Sequence, residues 1–434
     1  MHSARSPRRS TSRRAMLRGT GLALAGAALP AFTRPSSAAG VTLKVLVNTP
    51  HLPIYTTYLA PAWNQATGGV LEASAVDYTR LTDRIIDDVH SGAAEFDLFD
   101  YYYYGLGAIA HAGALVDLTQ WTASRTSLHT RDFLPSTYDA YTQYRGRRYG
   151  LPYDGDQQLI FYNSELLDAY GLRPPTTWDA YDAVARRITQ KGGGDHYGAV
   201  VQGQPDPMVL GCAFINRLNG YGGDLVDGHG RPTLTTPAAA AAARHLVDIA
   251  PYALPTPTET GFDTATSAFL AGRVALIETW TGIARRADDP SLSKIAGKWG
   301  VTSLPLGGGN RKRRTPLNGG YGLGVSAASQ RRAAALTYLE WATSRTHMLL
   351  QTTQPNSAIA PNRSSVLHSP TYAGSTPDAY PLIRAGLDAT PLVWPKGLAD
   401  PGNLRHLVEQ LALAVDGRQS PLTALRTAQA AWRS

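Results

Sequence analysis

Tyr153, Asp154, Asp156 and Gln157 stand close together between Pro152 and the apolar run Leu159-Ile160-Phe161-Tyr162. Two carboxylates, an amide and a phenol beside a rigid strand suit something flat, polar and rich in hydroxyls. A carboxylate pair also raises glycosidic hydrolysis. That reaction needs one carboxyl raised by burial and a second about 5–10 Å away across the scissile bond. Residues two apart on an extended chain point the same way, which crowds both on one side of a ligand. Hydrogen bonding to hydroxyls is the easier job, and no enzyme is expected.

Other chemistries find no support. There is no H-E-x-x-H, no G-x-S-x-G elbow and no P-loop lysine. The single cysteine, Cys212, excludes an intramolecular disulfide and reads as a small buried residue. Asp224, Asp227 and His229 lack the spacing of a dedicated metal site, so neither metal nor cofactor is expected. Arg311 to Arg314 read as a solvated loop. Gly319 to Ser326 is glycine-rich but precedes a strand rather than a helix, which removes the phosphate-cradle geometry.

The elements that must hold these residues are legible. Val41–Val47, Val70–Val76 and Phe96–Phe99 read as strands. Tyr55–Thr67 and Thr79–Ser91 read as helices, stopped by Gly68 and Gly92. Strand–helix–strand alternation means a parallel sheet with helices outside it. Ligands then collect beyond the carboxyl ends of the strands. Pro152 cannot donate to a sheet, so the strand at 159–162 is expected to begin after it. Asp100 to Tyr104 is expected just past the third strand. Its four tyrosines cannot all point inward. They either pack against neighbouring helices or turn a ring, Tyr102 or Tyr103, toward a ligand. Trp280 follows the strand Val274–Ile277 and is either a cleft aromatic or a packing residue. Trp394, displayed between Pro391 and Pro395, is expected in the cleft, because proline rigidity lowers the entropy lost on contact. Leu404–Val415 and Pro421–Trp432 read as closing helices.

At 434 residues the chain is too long for one ordinary core, so two domains are the default. The formal charge of +8 is misleading. Residues 1–40 hold seven arginines and no acid. Removing them from the 41 basic residues leaves 34 against 33 acidic ones, which is poor support for nucleic acid. Ser12-Arg-Arg-Ala-Met-Leu17, the apolar stretch from Leu22 to about Phe32 and Ser37-Ala38-Ala39 read as a twin-arginine export signal with cleavage near 39. No cysteine follows the apolar stretch, so the expectation is an exported periplasmic or extracellular protein without lipidation.

Tyr144 to Asn163 also carries a resemblance. Its Y-x-G-x-x-Y-G-L-P-Y … Y-N pattern, followed by Gly171-Leu-Arg-Pro-Pro-Thr-Thr-Trp-Asp-Ala180, resembles the extracellular solute-binding proteins of bacterial ABC importers. The sugar-binding branch that includes maltose-binding protein is the most similar. Ala268 to Trp280, the Gly319 to Ser326 stretch with Ser329, and Ala360-Pro-Asn-Arg363 match further family patterns. The resemblance covers almost all of residues 41–434. It implies a two-lobed periplasmic-binding-protein-like α/β fold with hinge segments and an interlobe cleft. Residues 40–155 and 303–344 would form one lobe, 156–302 and 345–434 the other, with the signal at 1–39. Crossings are expected near 154–157, 300–306 and 343–347. It further implies a monomer that captures a carbohydrate and hands it to membrane permease subunits. Trp280, Trp394, Tyr102 or Tyr103, and Tyr321 would lie against sugar faces. Asp154, Asp156, Gln157 and Glu278 would bond at the rim. A secreted glycan-active enzyme remains an alternative. So does the same fold binding iron, for which the tyrosine run would have to converge, or an anion.

Overall fold

The computed structural model describes residues 38–397 and 399–433. The export-signal reading lies almost entirely outside them. The first three strands, Thr42–Asn48, Val70–Val76 and Leu98–Tyr102, pair in parallel about the central Thr42–Asn48. Gly68 caps the helix Ala60–Thr67 at φ 75°, the left-handed turn that frees the chain to enter the next strand. The sheet is completed by Tyr321–Val325 and Leu151–Asp154, both from later in the chain.

One local expectation holds and another is corrected. The strand Gln158–Asn163 does begin after Pro152, although Pro152 itself lies inside the preceding strand, opposite Gly322, where it is tolerated because Leu151–Asp154 is the sheet's edge. The third strand runs on through Tyr102, so Tyr101 and Tyr102 are sheet residues rather than loop residues beyond its end.

After Asp154 the chain leaves this sheet, and Gln158–Asn163 opens a second one. That sheet has Trp299–Thr302 on one flank, and Val274–Trp280 then Tyr197–Ala199 on the other. Only Gly155, Asp156 and Gln157 separate the two strands. Glycine is required at 155: a Cβ there would meet the Pro361 carbonyl oxygen at 2.5 Å. Helix Trp178–Lys191 covers the second sheet. Thr177 caps it by accepting from the Ala180 amide. Trp178, Tyr181, Val184 and Ile188 form its buried face.

Each sheet has an apolar cluster, and a third cluster joins Phe99 and Tyr321 of the first sheet to Ile160 and Leu276 of the second. Val45, Val47, Leu151, Leu323 and Tyr338 belong to one cluster, and Phe161, Phe269, Val274 and Ile277 to another. The helices Asp400–Val415 and Pro421–Ala431 close the chain. No helix among the described residues is long and apolar enough to cross a membrane.

Candidate functional site

A cavity opens where the two sheets face each other. From the first sheet's side come Asn48, Pro50 and His51, at and just past the carboxyl end of the first strand. Tyr78 follows the second strand, and Asp154 and Tyr321 come from the edge strand Leu151–Asp154 and its neighbour Tyr321–Val325. Asp156, Met208, Phe262 and Trp280 supply the opposite wall. This part spans about 470 Å³, counting space open to solvent. An adjoining part of about 1060 Å³, lined by Asp77, Asp263, Arg286 and Ser357 among others, shares Tyr78, Asp156, Phe262 and Trp280 with it.

The floor is an aspartate–histidine–aspartate chain. His51 Nδ1 lies 2.5 Å from Asp100 Oδ2, and His51 Nε2 lies 3.4 Å from Asp154 Oδ2. All three side chains are buried. Burial works against a charged imidazole, but the two carboxylates outweigh it and lift His51 to about 10. Asp154 Oδ1 accepts from the Ala360 amide at 2.7 Å, which ties the strand end to the 360 loop. Burial raises the Asp154 pKa, opposed by His51.

Asp156 sits in the crossing segment. Its Oδ1 accepts from the Gln157 amide (2.8 Å), the Thr281 amide (3.2 Å) and the Thr281 hydroxyl (2.5 Å). Burial, then repulsion from Asp154, pushes it up to about 8 despite these bonds. The chain at the end of the Val274–Trp280 strand is therefore pinned to the crossing.

Trp280 is half-buried, with one edge fixed. Its Nε1 donates to the Asn318 carbonyl at 3.0 Å. Phe262 meets its ring edge-on, 5.4 Å between centroids at 71°. Gly319 lies beneath it, where a Cβ would come within 2.6 Å of the indole nitrogen. Tyr321 packs against His51 at 4.8 Å, and its hydroxyl accepts from Asn48 Nδ2 at 2.8 Å.

Asp154, Asp156, Trp280 and Tyr321 thus line one cavity. The other expected residues lie elsewhere, each for a visible reason. Trp394 is fully buried: its segment pairs with Thr315–Pro316 through Pro391–Leu392, and its Nε1 donates to Asn318 Oδ1 at 3.0 Å. Tyr103 is buried under it, accepting from the Trp394 amide at 2.8 Å and stacking on Tyr141. Tyr102 packs among Tyr104, Tyr321 and Trp394 behind the cavity wall. Gln157 turns away, donating to the Ile383 carbonyl at 2.8 Å. Glu278 shares a strand face with Trp280, but helix Cys212–Gly220 covers it there. Arg217 Nη2 pairs with it at 2.7 Å and Asn216 donates at 3.1 Å. Two hydroxyls of the tyrosine run are already engaged. Tyr101 donates to the Tyr141 carbonyl, while Tyr103 is committed to Trp394.

Sequence reasoning missed His51, Asn48, Tyr78 and Phe262. The signal for the first three was present: all lie at or just past the carboxyl ends of the first two strands, where ligands of such sheets collect.

Comparison with known proteins fits this geometry. Residues 49–348 match the family model described as bacterial extracellular solute-binding protein. A protein of Sinorhizobium fredii named "Probable amino-acid ABC transporter periplasmic-binding protein" is 25% identical over 386 residues, 87% of this chain and 85% of that one. Two solved structures share the fold. One is an ABC transporter solute-binding protein of Agrobacterium radiobacter K84 in complex with ribitol (TM-score 0.80, 24% identity, 90% of this chain and 98% of that one). The other is the maltose-bound MalE3 of T. maritima (TM-score 0.81, 24% identity, again 90% and 98%).

Proposed function

The chain belongs to the bacterial extracellular solute-binding protein family, and we propose that it captures a carbohydrate (a mono- or oligosaccharide or a polyol) and delivers it to the permease of an ABC importer. The observation that carries this reading is the cavity wall in which Trp280, Tyr78 and Phe262 adjoin Asp154 and Asp156. Aromatic rings cover the apolar faces of a sugar, and carboxylates accept from its hydroxyls. A ligand lacking those hydroxyls leaves buried acceptors unpaired, at about 1–3 kcal/mol each, which supplies selectivity. Ribitol and maltose in similar folds lend support. The amino-acid name of the Sinorhizobium relative puts amino acids on the test panel.

Binding proceeds without turnover in this reading. Asp154 is held by the Ala360 amide and His51, and Asp156 by the Gln157 amide and Thr281, so both carboxylates are engaged as fixed acceptors. The two separate sheets support a first lobe of 40–155 with 303–344 and a second of 156–302 with 345–434, hinged at 154–157, 300–306 and 343–347. The paired Arg13 and Arg14 support export of an already folded protein.

The test is thermal shift and tryptophan fluorescence of the protein from residue 40 onward against mono- and oligosaccharides, polyols and amino acids, with product analysis of each hit. A saturable shift with a sugar or polyol recovered intact is expected. Cleaved ligand overturns the binding-only reading. A response to amino acids alone overturns the carbohydrate.

A further inference from the structure

The cavity is lopsided in charge and in hydrogen-bonding sense. Asp154 and Asp156 face its inner part, and Asp77 and Asp263 face the adjoining part. Against these four carboxylates the lining offers His51 and Arg286. His51 is shared between Asp100 at 2.5 Å and Asp154 at 3.4 Å, so one imidazolium serves two carboxylates. Arg285, whose guanidinium lies behind Asp156, donates to the Ser357 carbonyl at 2.8 Å. Tyr141, Tyr372 and Thr281 also lie near Asp156, and none of them carries positive charge.

A second observation is independent of the aspartates. Asn48 lines the same space, is 4% exposed, and spends its Nδ2 on Tyr321 while its Oδ1 takes no donor. A buried acceptor left empty is costly unless a ligand fills it. The Nε1 of Trp280 is committed to Asn318, so the indole brings a ring face and no donor to the inner cavity. The lining is therefore rich in acceptors and poor in donors.

We propose that the ligand carries an ammonium group alongside its hydroxyls, as an amino sugar or an amino polyol does. This deepens the carbohydrate reading of the same site and rests on it. A hydroxyl offers one proton, whereas an ammonium offers three donors and a full positive charge. That is what two adjacent buried carboxylates and an empty amide oxygen call for. Tyr78, Phe262 and Trp280 add ring faces that attract a cation as well as C–H groups. Burial, then repulsion from Asp154, keeps a proton on Asp156 up to about pH 8, which neutralises it where no cation does. An ammonium takes over that task and returns the proton to solvent.

The experiment compares matched ligands by isothermal titration at pH 6.5. The pairs are D-glucosamine with D-glucose, D-galactosamine with D-galactose, and 1-amino-1-deoxy-D-glucitol with D-glucitol. N-acetyl-D-glucosamine serves as the uncharged amide, and spermidine as the amine without hydroxyls. At least one amine is expected to bind about tenfold or more tightly than its hydroxyl partner. That advantage should shrink with added salt and in Asp156→Asn. If Asp156→Asn does not fold, the ratio in the unaltered protein decides alone. Equal or tighter binding of the neutral partners overturns the ammonium and leaves the carbohydrate reading standing. Binding of spermidine with no sugar or polyol, or of no ligand at all, overturns both.

Discussion

At the scale of single residues the cavity sets two expectations. Trp280 presents a ring held at one edge by the Asn318 carbonyl. Trp280→Ala removes the stacking face and is expected to weaken sugar binding by about 2 kcal/mol, roughly thirtyfold in Kd. Trp280→Phe should keep part of that. Titration of both variants against the first hit checks it, and an unchanged Kd for the alanine variant removes the indole from the site. Asp156 sets the second. Its folded pKa of about 8 lies above the ordinary carboxylate value of 3.8. A raised pKa means that the folded state holds the proton more tightly. The stability this contributes is complete below about pH 4 and is lost as pH rises toward 8. His51, raised from 6.5 to about 10, adds a loss of the same sign at higher pH. His347, lowered by burial to about 4, acts the other way as pH falls below 6.5. The difference between the parent and Asp156→Asn isolates the carboxyl. The Tm of the asparagine variant should gain on the parent steadily from pH 5 to pH 9. Parallel Tm curves would show that Asp156 titrates normally.

At the scale of elements, much was legible because local chemistry and tertiary context agree. Thr177 caps its helix as its type suggests, and Gly68 turns left-handed where the helix must stop. Asp154 and Asp156 reach the cavity because the strand end and the crossing segment that bear them were visible as a proline–glycine interruption before an apolar run. Trp394, expected in the cleft because prolines flank it, and Glu278, expected at the rim from the resemblance, lie away from the cavity because neither ground shows which helix or segment comes to cover a residue. Residue 278 shares its face with Trp280, yet helix Cys212–Gly220 lies over the first and leaves the second open. The Asp100–His51–Asp154 chain joins three distant stretches, which no local pattern reveals. The covering helix carries its own prediction. Arg217 is fully buried, pairs with Glu278 at 2.7 Å and donates to the Ala213 carbonyl at 2.8 Å. Arg217→Leu leaves Glu278 as an uncompensated buried charge and should cost about 3–5 kcal/mol. Glu278→Gln in the same background should restore part of it, since the lone charge is then gone. Urea denaturation of the single and double variants checks this. A single variant as stable as the parent would mean that the pair is dispensable.

At the scale of the whole molecule, the cavity belongs to neither sheet alone. One wall comes from the ends of the Thr42–Asn48 and Leu151–Asp154 strands, the other from the end of Val274–Trp280. Asp156 is bonded to Thr281, and Asp154 to Ala360, so both carboxylates join the crossing segment to parts of the chain far away in sequence. A ligand touching both walls binds the closed arrangement better than an open one. It shifts the population only by that difference in affinity. Residues 40–434 packed as one compact body would have a radius of gyration of about 21 Å. The ligand-free protein is expected above that value in small-angle scattering, falling toward it when saturated with the titration hit. Asp154→Asn weakens the clamp on the 360 loop and should raise the ligand-free radius further, while a larger ligand concentration recovers the compact form. A radius that stays constant from empty to saturated protein would mean that the ligand enters a preformed site, and hinge closure would then have no part in its capture.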